Sequence, residues 1–414
     1  MTWLRRLARN PLLDVGAVFI ALLRVVGIAI VVPSRMVDWD FNHFYVSSWM
    51  LLHGLNPYTT PMAPFSQQMG FVTKDLIPIA GYPPPFLWLF APLAALPPRM
   101  AFALWVAGEV ACLVFILWIT GRLLGNRLSG RGRLFVCAAT VASATVFWQF
   151  YNSQLQLLLI ALILGAYAWH RQGRQNLACL AVTIAGLLKI YPFILLPWFI
   201  WRSADNAPAR VRCAFLTTVV GTAAVLTTGP GLWRDFVLFG IPMAVGQEVG
   251  VNFHYSLSSF VTNLGLAMTR PHRSPGELHL CWAVGTIAGL LVIGLSYLAS
   301  ARASRSEETG FSLLLVAMLA GTVTVQGHYF VWLIFPLALA AVQVARQPSV
   351  RRVLGFAIIA LLANDVSPPD SRLHANNIYL WLLVNYKPLY GLAGLGLFLW
   401  GEMRKLQFSQ RFAQ

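Results

Sequence analysis

The chain has 414 residues, of which 58% are hydrophobic and only 11% are charged. This composition excludes an ordinary soluble domain and a disordered chain, and it indicates a polytopic membrane protein. The net charge of +16 suggests a nucleic-acid partner at first sight, but the positions of the basic residues argue against one.

Twenty of the 30 Lys and Arg residues lie in seven short segments between apolar runs. By the positive-inside rule, such segments face the cytoplasm. The charge therefore indicates membrane topology and a lipid bilayer as partner, with no nucleic acid. The basic residues of the seven segments are Arg5, Arg6 and Arg9; Arg122, Arg127, Arg131 and Arg133; Arg171 and Arg174; Arg202, Arg210 and Arg212; Arg302 and Arg305; Arg346, Arg351 and Arg352; Arg404, Lys405 and Arg411.

The apolar runs between these segments predict an all-α membrane protein with about 12 transmembrane helices and both termini in the cytoplasm. The first run has no small-residue cleavage site after it, which favours a retained helix over a signal peptide. We expect a single integral membrane domain over residues 1–414. The predicted spans lie near 12–32, 101–121, 134–150, 154–169, 176–189, 191–201, 213–228, 281–300, 311–326, 329–345, 353–364 and 378–400.

The pair of spans at 176–201 is inferred from parity, because a single tilted helix there would place some basic segments on the wrong side. The predicted turn is Leu187–Phe193, where Pro192 removes a backbone donor and biases Tyr191 away from helix. A broken helix at membrane depth is tolerated only where it packs in protein or lines a polar cavity.

Two long connections, residues 33–100 and 229–280, are predicted to lie outside the membrane, and most histidines lie on or near that side. The five cysteines have no CxxC spacing and indicate neither a disulfide framework nor a zinc site. No cofactor is required by the sequence, and the external acids are scattered rather than clustered as a metal site would need. Any chemistry is therefore predicted to face outward.

The first external loop begins with a helical pattern from Asp40 that ends at Gly54, a plausible C-cap. We expect a short amphipathic helix in the outer membrane interface, where aromatic residues are favoured. One interpretation makes Asp38 or Asp40 simply the N-cap. The other makes one of these carboxylates a general base, with a pKa tuned by partial desolvation and by His43. Spacing alone does not choose between the two acids.

Other polar stretches lie near the predicted external ends of spans. The proline-rich segment 81–98, which contains Tyr82, is predicted to form a re-entrant or interfacial segment. Segments 147–162 and 324–339 carry amide, hydroxyl and imidazole groups, for which hydrogen bonding between helices is an equal alternative to a functional role. Lys189 at membrane depth is a functional hypothesis by default, and His328 is a possible anion donor. Together these groups predict an external cavity for a lipid-linked phosphate donor.

The ordered set of motifs from about residue 38 to 340 resembles glycosyltransferase family 87, of the GT-C superfamily. Each motif is weak alone, and the order makes the set fairly specific. The motifs are DFNHFYVSSWMLLHGLNPY (40–58), YPPPFLWLFAPLAALPP (82–98), YNSQLQLLLIAL (151–162), LLKIYPFILLPWFIWR (187–202), NFHYSLSSFVTNL (252–264) and GHYFVWLIFPLAL (327–339).

The resemblance implies a GT-C fold in the bacterial plasma membrane with an external active site. It implies an inverting transfer of a hexose, mannose in the known α-1,2-mannosyltransferases of the family, from a polyprenyl-monophosphate sugar to a lipid or glycan acceptor. It places the catalytic aspartate at Asp40 and suggests Lys189 and His328 for the donor phosphate. The substrate-binding residues expected from the motifs are Asp38, His43, Tyr45, Asn56, Tyr58, Tyr82, Asn152, Gln154, Asn252, His254 and Tyr329.

The chain departs from the family pattern at two places. Residues 152–156 read Asn-Ser-Gln-Leu-Gln where the family often has a glycine-glutamine-asparagine run, and His254 follows Asn252 where an Asn-Gln-Ser core is usual. Two alternatives to the transferase remain at this stage. They are a lipid-linked sugar flippase or transporter, for which Arg24 and Glu109 within spans are possible partners, and an O-antigen-ligase-like enzyme with a diphosphate-linked donor.

Overall fold

The computed structural model describes residues 11–37, 39–72, 78–202, 207–246, 254–269, 275–301, 307–366 and 377–411. These residues form helices and connecting turns and contain no strand. The α-helices are α1 (Pro11–Val31), α2 (Trp39–Leu52), α3 (Ala63–Gln68), α4 (Pro84–Ala94), α5 (Pro98–Leu124), α6 (Gly130–Ala142), α7 (Ala144–Asn152), α8 (Gln156–Arg171), α9 (Gln175–Leu188), α10 (Leu196–Trp201), α11 (Ala207–Thr228), α12 (Pro230–Asp235), α13 (Ile241–Gly246), α14 (Leu257–Thr269), α15 (Pro275–Ala301), α16 (Glu307–Gly321), α17 (Ile334–Arg346), α18 (Val350–Asn364), α19 (Ile378–Asn385) and α20 (Lys387–Arg411).

Five helices in the described part of the chain are long and apolar enough to cross a membrane. The number rises to seven if each of two bent helix pairs is one span. The all-helical, multi-pass character is therefore confirmed. The count of twelve crossings stays a prediction, because several predicted spans coincide with helices of only 10–17 residues, among them α8 and α9.

The chain divides into two compact units. One, called the catalytic-motif unit here, comprises Val26–Leu123 and Gln149–Gly246, and the other, called the histidine unit, comprises Met1–Val25, Leu124–Trp148 and Gln247–Gln414. Each unit is therefore assembled from separated parts of the sequence. The single integral membrane domain over residues 1–414 stays a prediction.

In the catalytic-motif unit, α2 packs against α4 through aromatic rings. The ring of Phe44 lies edge-on to those of Phe86 and Trp105, at centroid distances of 4.9 and 5.7 Å. Edge-to-face pairs of this kind add to the stabilisation that the buried area gives. The 11-residue α4, with Pro92 inside it, is too short to span a membrane, as the prolines predicted.

The helix α2 begins one residue before Asp40, and Gly54 follows its end in the left-handed conformation, with φ of +71°. Both features agree with the predicted helix. Its burial does not, because an interfacial helix should keep one face exposed, whereas every side chain from Phe41 to Ser48 is buried. The polar Asn42 donates to the carbonyl oxygen of Val72 (3.1 Å) and accepts from the Ser66 hydroxyl. Residues distant in the sequence thus provide hydrogen-bond partners for a face of α2 that the sequence pattern predicts to be exposed.

The predicted break between residues 187 and 193 is confirmed. Helix α9 ends at Leu188, Lys189 has an extended backbone, and a short 3₁₀-helix covers Tyr191–Leu195. The chain folds back closely here, since a Cβ atom at Gly186 would lie 2.6 Å from the ring of Phe193. The break directs Lys189 away from the helix that precedes it.

In the histidine unit, α15 packs against α14 and α16 through two glycines spaced four residues apart. A Cβ atom at Gly285 would lie 2.5 Å from the Cα of Ser258, and one at Gly289 would lie 2.7 Å from the Cα of Gly321. Small residues at such crossings let helix backbones approach in a membrane, where apolar burial does not drive association. These glycines fix the position of α14, which follows the His254 motif.

We expect Gly289→Val to destabilise the detergent-solubilised protein by about 1–3 kcal/mol, because α15 and α16 must separate to admit the side chain. Gly294→Val is the matched control, since the same helix has nothing within 4 Å of a Cβ atom at that position. Thermal unfolding followed by size-exclusion chromatography compares the two variants. Equal losses of stability would contradict the close crossing.

Candidate active site

Asp40 lies in the first turn of α2, as its second residue, and its side chain is half-buried. It is therefore not the N-cap, and the N-cap interpretation stays a prediction for Asp38. A carboxylate in the first turn of a helix interacts favourably with the helix dipole. The other candidate acid, Asp38, lies outside the described residues, so the structure does not compare the two.

The amide of Gln154 connects Asp40 to Tyr82. The Tyr82 hydroxyl donates to Oε1 of Gln154 at 3.3 Å, and the Gln154 side chain acts on the Asp40 carboxylate as a donor that lowers its pKa. An amide that accepts at its oxygen has its NH₂ group left to donate. The Tyr82 contact thus orients Gln154 with its donor toward Asp40.

Lys189 supplies the positive charge near Asp40. Its Nζ lies 5.0 Å from the centre of the Tyr82 ring, and its charge acts on the Asp40 carboxylate. An ammonium over an aromatic face is held by the ring quadrupole. Asp40, Gln154, Tyr82 and Lys189, which come from four separate parts of the sequence, form a cluster called the Asp40 site below.

Two opposing effects set the pKa of Asp40. Burial raises it above the ordinary value for an aspartate, and the Gln154 hydrogen bond and the Lys189 charge lower it, for a result of about 6. Burial disfavours the charged form, while a donor and a nearby cation favour it. The sequence analysis expected His43 to tune this carboxyl, but the groups that act on it are Gln154 and Lys189. Burial lowers the pKa of His43 itself to about 4.

The Asn56-Pro57-Tyr58 turn holds Tyr82 in place. Asn56 Oδ1 accepts from the Tyr58 backbone N–H, and the Tyr58 hydroxyl donates to the Tyr82 carbonyl oxygen at 2.7 Å. The Ala80 N–H donates to the Pro57 carbonyl oxygen at 2.8 Å. Burial raises the pKa of Tyr58 well above that of an exposed phenol, so this hydroxyl is a permanent donor. Asn56 and Tyr58 thus position Tyr82, and their predicted contact with substrate stays a prediction.

A residue that the sequence analysis missed anchors this turn. Asp235, the last residue of α12, accepts from Asn56 Nδ2 at 2.7 Å and pairs with Arg234 at 2.9 Å. The hydrogen bonds from Arg234 and Asn56 lower the pKa of Asp235. Nothing in the spacing of the sequence connects residues 56 and 235. The signal in the sequence was an Arg-Asp pair in an otherwise apolar stretch of the second predicted external loop.

The remaining predicted residues of the catalytic-motif unit have structural contacts. The Tyr45 hydroxyl donates to the Leu96 carbonyl oxygen at 2.7 Å, and its ring lies against Phe71. Asn152 ends α7 and is half-buried. Their roles in substrate binding stay predictions.

The histidine unit brings two predicted motifs together. The Tyr255 N–H donates to the Val325 carbonyl oxygen at 2.6 Å, and the Tyr255 ring lies edge-on to Phe330. His254 and His328, which neighbour these residues in the sequence, are both buried, and burial lowers the pKa of His254 to about 4. Asn252 lies outside the described residues. Because His328 and Lys189 belong to different units, their joint contact with one phosphate stays a prediction.

The buried ring of Tyr329 adjoins that of His328, at a centroid distance of 4.8 Å. The contact places Tyr329 beside the predicted phosphate residue, but its role in binding substrate stays a prediction. Across the described ranges, no three His, Cys, Asp or Glu side chains are grouped so that they could hold a metal ion.

The chain matches a known protein family over more than half of its length. The model of glycosyltransferase family 87 matches residues 81–336, a segment that contains Tyr82, Gln154 and Lys189 and begins after Asp40. No curated protein and no solved structure matches the chain significantly. Since the family match covers more than half of a multi-pass helical membrane protein that carries the expected motifs in order, the chain belongs to glycosyltransferase family 87.

Proposed function

We propose that this glycosyltransferase transfers a hexose, mannose in the first instance, from a polyprenyl-monophosphate sugar to a hydroxyl group of a lipid or glycan acceptor. We place the reaction on the external face of a bacterial plasma membrane, with both termini in the cytoplasm. The observation that carries the proposal is the Asp40 site, in which a carboxyl group with a pKa of about 6 lies near a lysine cation.

In the proposed reaction, Asp40 takes the proton from the acceptor hydroxyl as its oxygen attacks the anomeric carbon. The bond between that carbon and the phosphate oxygen breaks, and polyprenyl phosphate leaves with the bonding electrons. A pKa of about 6 suits this role, since such a carboxylate is mostly ionised at pH 7 and is a stronger base than an exposed aspartate. The configuration at the anomeric carbon inverts because attack and departure occur on opposite faces.

Lys189 is proposed to stabilise the negative charge that grows on the leaving phosphate. An ammonium group held in place before the reaction does so without reorganisation in the transition state. The Tyr82 ring holds Lys189 from one side. In the proposal, Tyr82 therefore acts on two groups. Its hydroxyl orients Gln154, which acts on Asp40, and its ring holds Lys189.

Asp40→Asn should lower the rate of sugar transfer by about 10²–10⁴-fold, the usual contribution of a general base. The assay uses membranes with radiolabelled polyprenyl-phosphate mannose, with Asp14→Asn as control because Asp14 pairs with Arg131 in the other unit. In the unmodified protein, kcat should fall as the pH drops below about 6, where Asp40 takes up a proton. Full transfer by Asp40→Asn would remove Asp40 from the mechanism.

The same assay separates the alternatives. Transfer from a diphosphate-linked donor only would favour the O-antigen-ligase-like reaction. Movement of a lipid-linked sugar across the bilayer with no transfer from any monophosphate donor would favour a transporter.

Lys189→Gln should lower kcat/KM for the donor by about 10- to 100-fold, since a charge-assisted contact with phosphate contributes about 1.5–3 kcal/mol. Lys189→Arg, which keeps the charge, should lose less. The comparison is made at pH 8, where Asp40 stays ionised in all three proteins. Equal activity of the Gln and Arg variants would show that charge at residue 189 does not matter.

Substitutions of Tyr82 separate its two contacts. Tyr82→Phe removes the hydroxyl that orients Gln154 but keeps the ring beside Lys189, so we expect kcat to fall about 2- to 10-fold with little change in donor KM. Tyr82→Leu also removes the ring and should raise donor KM. Steady-state kinetics at several donor concentrations give both constants. Identical kinetics for the two variants would contradict the assignment of separate roles.

A further inference from the structure

A buried carboxyl group outside the Asp40 site has no part in the reaction described so far. Glu109 lies in α5, one of the helices long and apolar enough to cross a membrane, and it is 4% exposed. An ionisable residue in such a helix is costly, and its presence calls for a functional explanation. Its hydrogen-bond donor is the side-chain amide of Gln149, at 2.7 Å.

The amide of Gln149 connects Glu109 to the Asp40 site. The same Nε2 atom donates to Glu109 Oε1 and to the backbone carbonyl oxygen of Gln154. The Gln154 side chain in turn acts as the donor that lowers the pKa of Asp40. Glu109 is therefore joined to Gln154 by two consecutive hydrogen bonds, and Gln154 acts on Asp40, all within the catalytic-motif unit.

A second contact from the same helix holds the same turn. Trp105 lies one helical turn before Glu109, and its Nε1 donates to the Ser153 carbonyl oxygen at 2.9 Å. Ser153 has a φ of +48°, a left-handed conformation that costs a residue with a Cβ atom about 1–2 kcal/mol. Helix α5 thus holds the Ser153 carbonyl group directly, and the Gln154 carbonyl group through Gln149, in a turn that would not adopt this shape readily by itself.

We propose that Glu109 is a positioning residue, which holds Gln154 through Gln149 in the orientation that donates to Asp40. This inference rests on the proposed role of Asp40 as the base. It gives the intramembrane carboxyl a role in the transfer reaction that requires no contact with either substrate.

The donors and acceptors around Glu109 indicate which substitutions keep its hydrogen bond with Gln149. The second carboxyl oxygen of Glu109 and the amide oxygen of Gln149 have no hydrogen-bond partner among the described residues. A protonated carboxyl group would supply a donor and still accept from Gln149, as a glutamine side chain also would. Glu109→Gln is therefore a conservative variant, whereas Glu109→Leu abolishes the hydrogen bond.

The test measures the protonation state of Asp40 directly. Carbodiimide labels protonated carboxyl groups, so labelling of Asp40 followed by mass spectrometry against pH gives a midpoint without any sugar donor. Other titratable groups around Asp40 among the described residues are Lys189 and Tyr82 from neighbouring segments and His43 from α2 itself. None of them is changed in the variants.

We expect a midpoint near pH 6 in the unmodified protein and in Glu109→Gln, and a higher midpoint in Glu109→Leu. The direction follows because the Gln154 donor stabilises the charged carboxylate, and a displaced donor lets the pKa rise. In the transfer assay, kcat of Glu109→Leu should fall about tenfold at pH 7 with donor KM unchanged. Glu109→Gln should keep most of its activity.

A variant that fails to fold does not end the test. Glu109→Leu combined with Gln149→Met removes both partners of their hydrogen bond, so neither side chain is left unsatisfied, and the Gln154 carbonyl oxygen loses its Gln149 donor. It should show the same raised midpoint. An unchanged midpoint in every folded variant would overturn the proposal, and so would an equal loss in Glu109→Gln and Glu109→Leu.

Failure of the proposed function gives a different pattern. It appears as absence of transfer in the unmodified protein, whatever the labelling of Asp40 shows.

Discussion

The stabilisation of the charged Asp40 carboxylate by the Gln154 amide is the interaction on which the candidate site depends. An amide offers an acceptor at one end and donors at the other, and the Tyr82 hydroxyl bonds to the acceptor end. The donor end is left for Asp40. The position of the Tyr82 hydroxyl therefore sets the orientation of the Gln154 amide, and that orientation affects the pKa of Asp40.

The pKa of Asp40 reflects a balance that none of its neighbours sets alone. Burial by itself would favour the protonated form, which cannot accept a proton from an acceptor hydroxyl. Full exposure would leave an ordinary aspartate, a weaker base at neutral pH. Burial destabilises the charged carboxylate, and the Gln154 donor and the Lys189 cation offset part of this loss. The pKa of Asp40 therefore stays near 6. Partial burial with one donor and one cation therefore suits the site better than either extreme.

Local features of the sequence predicted local features of the structure. The position of α2, the left-handed Gly54 after it and the helix break at Lys189 all follow from residues within one or two turns. The family resemblance identified Asp40, Lys189 and Tyr82, which the structure brings together. The burial of α2 on all sides was not predictable, because the partner of Asn42 is the carbonyl group of Val72, 30 residues away. Periodicity records which side chains are apolar and carries no information about distant backbone groups.

The turn at residues 152–154 shows how a departure from the family pattern is accommodated. Ser153 adopts a backbone conformation that glycine takes without cost, and the chain has no glycine there. Its carbonyl group bonds to Trp105 and that of Gln154 bonds to Gln149, which is itself held by Glu109. The first of these bonds comes from α5, and the second comes from a residue that is hydrogen-bonded to α5. A long apolar helix therefore stabilises the strained turn, and the turn presents Gln154 to Asp40. In the proposed mechanism, the intramembrane Glu109 thereby contributes to the position of the base.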